Sequence, residues 1–293
     1  MRLRYGLAAA AGAAAYALVE PHRPRLVRQE IPVAPACPPL SILHLSDTHL
    51  TERTRGLARF LTDLPQAVSQ VPDLVLATGD LIDSDDGIEP LLRSVEGLRA
   101  RLGRFYVLGS HDYYQAIFKP PTKYFKGPEK PSKAPRADVD RLEAGLASQG
   151  WTSLVNRTEV LPRDDGTIRL AGVDDPYLKR QRTDHIRRGA NDVLAIGLTH
   201  APDVVSEWAL NGYDLILAGH THGGQVRFPL VGAVVTNSSL PTALASGPHR
   251  IDGAWLHVSP GLGTSKFSPF RFLARPEATL LHLVPTAERA TDT

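Results

Sequence analysis

Short continuous apolar runs recur along the chain at residues 42–45, 74–77, 105–108, 193–198 and 215–218, each with the length of a buried strand. Between several of them, residues 57–68, 90–102 and 138–148 carry apolar positions at helical spacing. Strand–helix alternation of this kind predicts a sheet of parallel strands covered by helices, an α/β protein. Past His222 the texture changes to strand-like runs separated by turns, at 234–237, 254–258 and 279–284. These predict a second sheet or an antiparallel extension of the first. No internal repeat of solenoid length is visible.

The N-terminus has a different pattern. Arg2 and Arg4 precede an apolar run over 5–19, 15 residues of which eight are alanine. A spanning helix needs about 20 strongly apolar residues, so the run is short and weak for that role. It has the length of the apolar part of an export signal, but a membrane anchor or a helix packed on the domain is the stronger reading. A Pro-rich link over 32–39 comes next. The organisation expected is an N-terminal segment and link over 1–37, one catalytic-sized domain over 38–285, and a tail over 286–293.

Composition narrows the function. The hydrophobic fraction of 42% and charged fraction of 22% are those of a globular protein. Lys plus Arg at 33 against Asp plus Glu at 31 leaves +2, so nucleic acid is not expected as a main partner. Cys37 is the only cysteine, which excludes disulfides and thiolate metal clusters. One basic segment stands out: residues 119–136 hold six basic residues, one acid and five prolines. It reads as a loop, either solvated surface or a basic flap over an anionic substrate.

The strand ends carry the chemistry. Residues 42–45 run into Ser46-Asp47-Thr48-His49, 74–77 into Thr78-Gly79-Asp80, and 105–108 into Gly109-Ser110-His111-Asp112. Residues 193–198 run into Thr199-His200, and 215–218 into Gly219-His220-Thr221-His222-Gly223-Gly224. Open α/β sheets bind ligands beyond the carboxyl ends of their strands, so five strands deliver Asp or His to one rim. The other histidines, His44 and His257 among them, lack this context and read as structural or surface. Carboxylates and imidazoles without thiolates suit Mn, Fe or Zn. Asp47, His49, Asp80, His200, His220 and His222 are too many ligands for one ion, and two ions sharing a carboxylate fit better. Two divalent cations, two aspartates and a bridging hydroxide leave about +1, which favours a phosphate ester.

In this order and spacing the motifs resemble the calcineurin-like metallophosphoesterase superfamily. The string from Gly219 to Val226, with residues 259–264 and 275–277, is similar to the branch with UDP-2,3-diacylglucosamine diphosphatases and related bacterial membrane-associated phosphoesterases. The resemblance implies a four-layer α/β/β/α sandwich, two packed mixed sheets flanked by helices. It implies Asp47, His49 and His222 on one metal, His200 and His220 on a second, and Asp80 bridging both. A metal-bridging hydroxide would attack a phosphate ester or diphosphate, His111 would act as general acid, and Asp112 would orient its imidazole. The expected substrate is lipid-linked or a nucleotide sugar, met at a membrane surface or in the cytoplasm. A soluble phosphodiester or phosphomonoester, or headgroup binding without turnover, are the alternatives. The family's Gly-Asn-His-Asp reads Gly109-Ser110-His111-Asp112 here, so a serine hydroxyl or a water takes the place of the asparagine carbonyl. The second metal is then expected to bind more weakly.

Overall fold

The computed structural model describes residues 2–34, 36–118 and 134–286. Residues 119–133 of the basic segment and the tail from 287 lie outside the described residues. The strands are β1 (Arg25–Val33), β2 (Leu40–Leu45), β3 (Leu74–Thr78), β4 (Gly103–Val107), β5 (Trp151–Ser153), β6 (Arg157–Arg163) and β7 (Gly166–Gly172). They continue with β8 (Asp192–Leu198), β9 (Leu215–Ala218), β10 (Arg227–Phe228), β11 (Gly232–Ala233), β12 (Gly247–Ile251), β13 (Ala254–Val258) and β14 (Glu277–Pro285). The α-helices are α1 (Arg2–Val19), α2 (Arg55–Val68), α3 (Ile88–Val95), α4 (Ser110–Tyr113), α5 (Val139–Ser148) and α6 (Val205–Leu210).

Two six-stranded mixed sheets form, in the orders β1-β14-β2-β3-β4-β5 and β12-β13-β9-β8-β7-β6. Within the first, β2, β3, β4 and β5 are parallel, and β14 runs against β2. The strands are continuous apolar runs because both faces of each sheet are covered. Ile42, Leu74, Leu76 and Phe105 of the first sheet meet Ile168, Leu194, Ile196 and Leu215 of the second in one buried cluster. On the outer face of the first sheet, Leu43, Val75 and Tyr106 pack with Leu61 of α2, Leu91 of α3 and Leu142 of α5. On the outer face of the second, Ala195 and Ile216 pack with Trp208 of α6. This is the four-layer α/β/β/α sandwich.

The domain begins earlier than residue 38. β1 pairs in parallel with β14 through nine consecutive positions, and Ile31 and Val33 are buried in the inter-sheet core. Residues 25–33 therefore form an edge strand of the first sheet, a place that tolerates Pro32. The expected helix over 90–102 is shorter and earlier, ending at Val95 just before Gly97. Residues 234–237 are not a strand; the local pairing is the two-residue ladder of β10 and β11.

Candidate metal centre

The carboxyl ends of β2, β3, β4, β8 and β9 bring the expected residues to one edge of the sandwich, as parallel strands must. The backbone turns sharply there. Asp47 (φ 49°), His49 (42°), Asp80 (49°), His220 (70°) and His222 (50°) all adopt left-handed conformations. For a non-glycine residue each costs on the order of 1–3 kcal/mol, and such strain gathers at functional sites. Close approach explains two glycines. A Cβ at Gly219 would collide with Ser46 Oγ and the Asp47 carboxylate, and one at Gly109 with Asp80 Oδ1.

The donors form a continuous series. Asp47 Oδ1 lies 3.5 Å from His222 Nε2, which lies 3.2 Å from His49 Nε2. His49 Nε2 is 3.6 Å from Asp80 Oδ2, and the same oxygen is 3.4 Å from His200 Nε2. His200 Nε2 is 3.2 Å from His220 Nδ1. Asp80 sits in the middle of the series. Asp47, His49 and His222 form one group able to hold an ion, and Asp47, Asp80 and His200 another.

The chemistry of the outer ring nitrogens fits a metal. His49 Nδ1 faces Asp83 Oδ1 at 3.1 Å, His200 Nδ1 faces Thr78 O at 2.7 Å, and His220 Nε2 faces Asn237 O at 3.2 Å. Those oxygens only accept, so the outer nitrogens donate and, in the neutral rings, the inner ones are bare lone pairs. Bare nitrogens of His200 and His220 3.2 Å apart can share a cation, a metal ion or a proton, between them. The same field acts on protons. Burial disfavours the charged His200, but Asp80 beside it holds the imidazole well above its ordinary pKa. Burial likewise opposes ionisation of Asp80, and His200, His111 and His49 outweigh it. His222 is the exception: its Nδ1 faces Arg271 Nη2 at 3.1 Å. A guanidinium only donates, so the proton of neutral His222 sits on Nε2 and points at His49.

Asp112 does not orient His111. Its Oδ1 accepts from the amides of Leu81 (2.8 Å) and Ile82 (3.2 Å), and its Oδ2 from that of Gly109 (2.9 Å). Both oxygens are thus spent tying the loops after β3 and β4 together. The carboxylate beside His111 is Asp83, whose Oδ1 lies 3.3 Å from His111 Nδ1. The His111 amide in turn donates to Asp80 Oδ1 at 2.8 Å. Ser110 opens α4 immediately before His111 and is half-buried. Sequence reasoning missed Asp83, although it stands three residues past Asp80 in the same strand-end loop. It also missed Arg271, for which the sequence offers no signal.

A family model described as calcineurin-like phosphoesterase matches residues 40–224. The chain belongs to this family. Its members use divalent metals, and the chain is a metallophosphoesterase, a hydrolase. It is 29% identical to the metallophosphoesterase YkuE of Bacillus subtilis over 84% of this chain and 79% of that protein. It is 28% identical to the phosphodiesterase YaeI of Escherichia coli, covering 84% of this chain and 83% of the relative. A transmembrane protein with metallophosphoesterase domain from Bos taurus is 30% identical over 89% of this chain and 57% of its own length.

Proposed function

We propose that the protein hydrolyses a phosphate ester or diphosphate with two divalent ions, and that its substrate is a phosphorylated, lipid-linked molecule met at a membrane surface. The observation that carries the two-ion reading is Asp80 Oδ2, within 3.6 Å of His49 Nε2 on one side and 3.4 Å of His200 Nε2 on the other. In this reading Asp80 serves both ions, Asp47, His49 and His222 complete one set, and His200, His220 and Ser110 the other. Manganese, iron or zinc suits these donors. Bound there, the ions would polarise the phosphoryl group and supply a water acidified enough to attack it. His111 has the most exposed imidazole in the cluster, its side chain 24% accessible, so it can meet a leaving oxygen and protonate it. Asp83 at its Nδ1 would hold the ring for that transfer.

The surface near the site favours a lipid substrate. Phe228, Leu230, Val231 and Val234 are exposed after the His222 turn, Phe267, Phe270 and Leu273 in the segment carrying Arg271, and Leu18 and Val19 at the end of α1. Phe272 joins them, with Tyr16 edge-on at 5.7 Å and Phe228 at 6.3 Å. Between Asp214 and Glu277 the only acid is Asp252, against Arg227, Arg250, Lys266, Arg275 and the buried Arg271. Exposed aromatic and aliphatic side chains in an acid-poor, basic setting match an anionic lipid surface. Among the described residues no helix is long and apolar enough to cross a membrane, so the contact would be interfacial.

The test uses metal-stripped full-length protein with added Mn²⁺. Substrates are a chromogenic phosphodiester, a chromogenic monoester, a nucleotide-sugar diphosphate, and a phosphorylated lipid in anionic vesicles. Expected are hydrolysis lost in chelator and in Asp80→Asn, sedimentation with the vesicles, and preference for the vesicle-borne substrate. Turnover in chelator would sink the metal mechanism. Metal uptake without turnover of any substrate would leave a headgroup-binding protein, and preference for the soluble phosphodiester would remove the lipid.

A further inference from the structure

A line of buried hydrogen bonds leaves the Asp47 carboxylate and crosses the interior. Ser46 Oγ donates to Asp47 Oδ2 at 2.6 Å, and Thr78 Oγ1 lies 2.7 Å from Ser46 Oγ. His44 Nε2 lies 2.9 Å from Thr78 Oγ1, and His257 Nδ1 lies 2.9 Å from His44 Nδ1. All five residues are buried, none more than 1% exposed. His44 belongs to β2 and His257 to β13, so the line ties the first sheet to the second.

Its direction is fixed from the carboxylate end. An ionised carboxylate only accepts, so the Ser46 hydroxyl spends its one proton on Asp47. The bond between Ser46 and Thr78 must then use the Thr78 proton, and the bond between Thr78 and His44 must use a proton on His44 Nε2. Burial keeps His44 neutral, with its pKa well below the ordinary value and the neighbouring His257 adding to the effect. Its Nδ1 is therefore bare, and His257 Nδ1 must donate to it. Every donor points toward Asp47. At the far end, Asp47 Oδ2 accepts from Ser46, the His220 amide lies 3.1 Å from both carboxylate oxygens, and Oδ1 is the oxygen facing the His222 ring.

We infer that His44 and His257 are positioning residues of the metal centre, which act through Thr78 and Ser46 to hold the Asp47 carboxylate with Oδ1 presented to a cation. Removing the donor at His44 frees the Ser46 hydroxyl to donate to Thr78 instead, which leaves Asp47 Oδ2 only the shared His220 amide. Bonds in such a line polarise one another, so a cation drawing on Asp47 is felt at His44. The inference rests on the metal-centre reading and adds to it two histidines far outside the ligand set.

The test uses the full chain, metal-stripped and ¹⁵N-labelled at histidine. The nitrogen resonances should report an Nε2–H tautomer at His44 and an Nδ1–H tautomer at His257, and the His44 signals should move when Zn²⁺ is added. By calorimetry, His44→Leu should cost the site of Asp47, His49 and His222 about tenfold in zinc affinity, at the low end for outer partners of metal ligands, and move the site of Asp80 and His200 less. His44→Gln, whose amide still donates to Thr78, should recover most of the loss. Ser46→Ala removes only the last donor and should match the leucine variant, which keeps the test open if that variant does not fold. The opposite tautomers, or parental zinc affinity in both His44→Leu and Ser46→Ala, would overturn the positioning role. Failure of the parent to take up zinc would overturn the metal-centre reading instead, whatever the tautomers.

Discussion

Asp83 Oδ1 stands 3.1 Å from Nδ1 of His49, and the same oxygen lies 3.3 Å from Nδ1 of His111. Its other oxygen accepts from the Lys266 amide at 2.8 Å. One buried carboxylate thus fixes the ring of an expected metal ligand by a hydrogen bond and stands within ion-pair distance of that of the expected general acid. Burial opposes its ionisation, but the hydrogen bond from His49 and the charges of His49 and His111 keep it below the usual carboxylate range. Asp83→Ala should lower zinc affinity at the site containing His49 by about 10- to 100-fold, the usual effect of losing an outer partner. Asp83→Asn, which keeps an acceptor oxygen, should lose less. Calorimetric titration of the metal-stripped variants checks the order.

Asp112 has a different task. Three backbone amides from two loops depend on it, and its removal leaves them buried without an acceptor. At about 1–3 kcal/mol for each orphaned group, Asp112→Ala should lose about 3 kcal/mol or more in urea denaturation. In the folded fraction the pH profile of hydrolysis should keep its shape, because His111 takes its partner from Asp83. A stable variant with a shifted profile would return Asp112 to the role of orienting residue.

Much of this centre is legible in the sequence because a parallel strand buried on both faces is a plain apolar run, and the residues just past its carboxyl end lie at the rim. Asp47, Asp80 and His200 can be placed that way with no contact known. Asp112 is misread because adjacency to His111 along the chain says nothing about where its carboxylate points. In α4 it turns back onto amides of the preceding loops. β1 escapes the apolar pattern because its residues mix charge and apolar positions around a proline, as an edge strand allows. The hairpin of β6 and β7 does carry a local signal, the Asp164-Asp165 turn with Gly166 directly after it. His44 and His257 stand 213 positions apart, and only the packing of two sheets makes them a pair.

That pair gives a pH dependence with a definite sign. Burial pulls His257 down to about 3 and His44 well below its ordinary 6.5. The unfolded chain takes up these protons near pH 6.5, while the folded chain does not. The share of stability that rests on this pair is therefore full above about pH 6.5 and falls as pH drops toward 3, by about 1.4 kcal/mol per pH unit for each histidine. His257→Phe should flatten the dependence by about one histidine's share between pH 6 and 4, measured by denaturation in chelator. Equal slopes in parent and variant would mean that His257 is charged in the folded protein.

Arg271 gives the last expectation. Its guanidinium is fully buried and donates to the carbonyls of Pro260 (2.6 Å), Gly263 (2.6 Å) and Ala274 (3.0 Å), and to His222 Nδ1. Burial lowers its pKa to about 10, which still leaves it charged at neutral pH. With Nδ1 accepting, neutral His222 keeps its proton on Nε2, between itself and His49. A zinc ion entering there must displace that proton. With Nδ1 held as an acceptor by Arg271, the ring can give it up only by becoming an imidazolate, so uptake at this site would release about one proton even where both rings start neutral. In Arg271→Met the ring can move its proton to Nδ1 and offer a bare Nε2, so the release should fall by about one. The variant should also lose about 3 kcal/mol of stability, because three carbonyls lose their donor. Calorimetry in two buffers of different ionisation heat counts the protons directly. Equal release from parent and variant would show that Arg271 does not set the His222 tautomer, whatever the stability change.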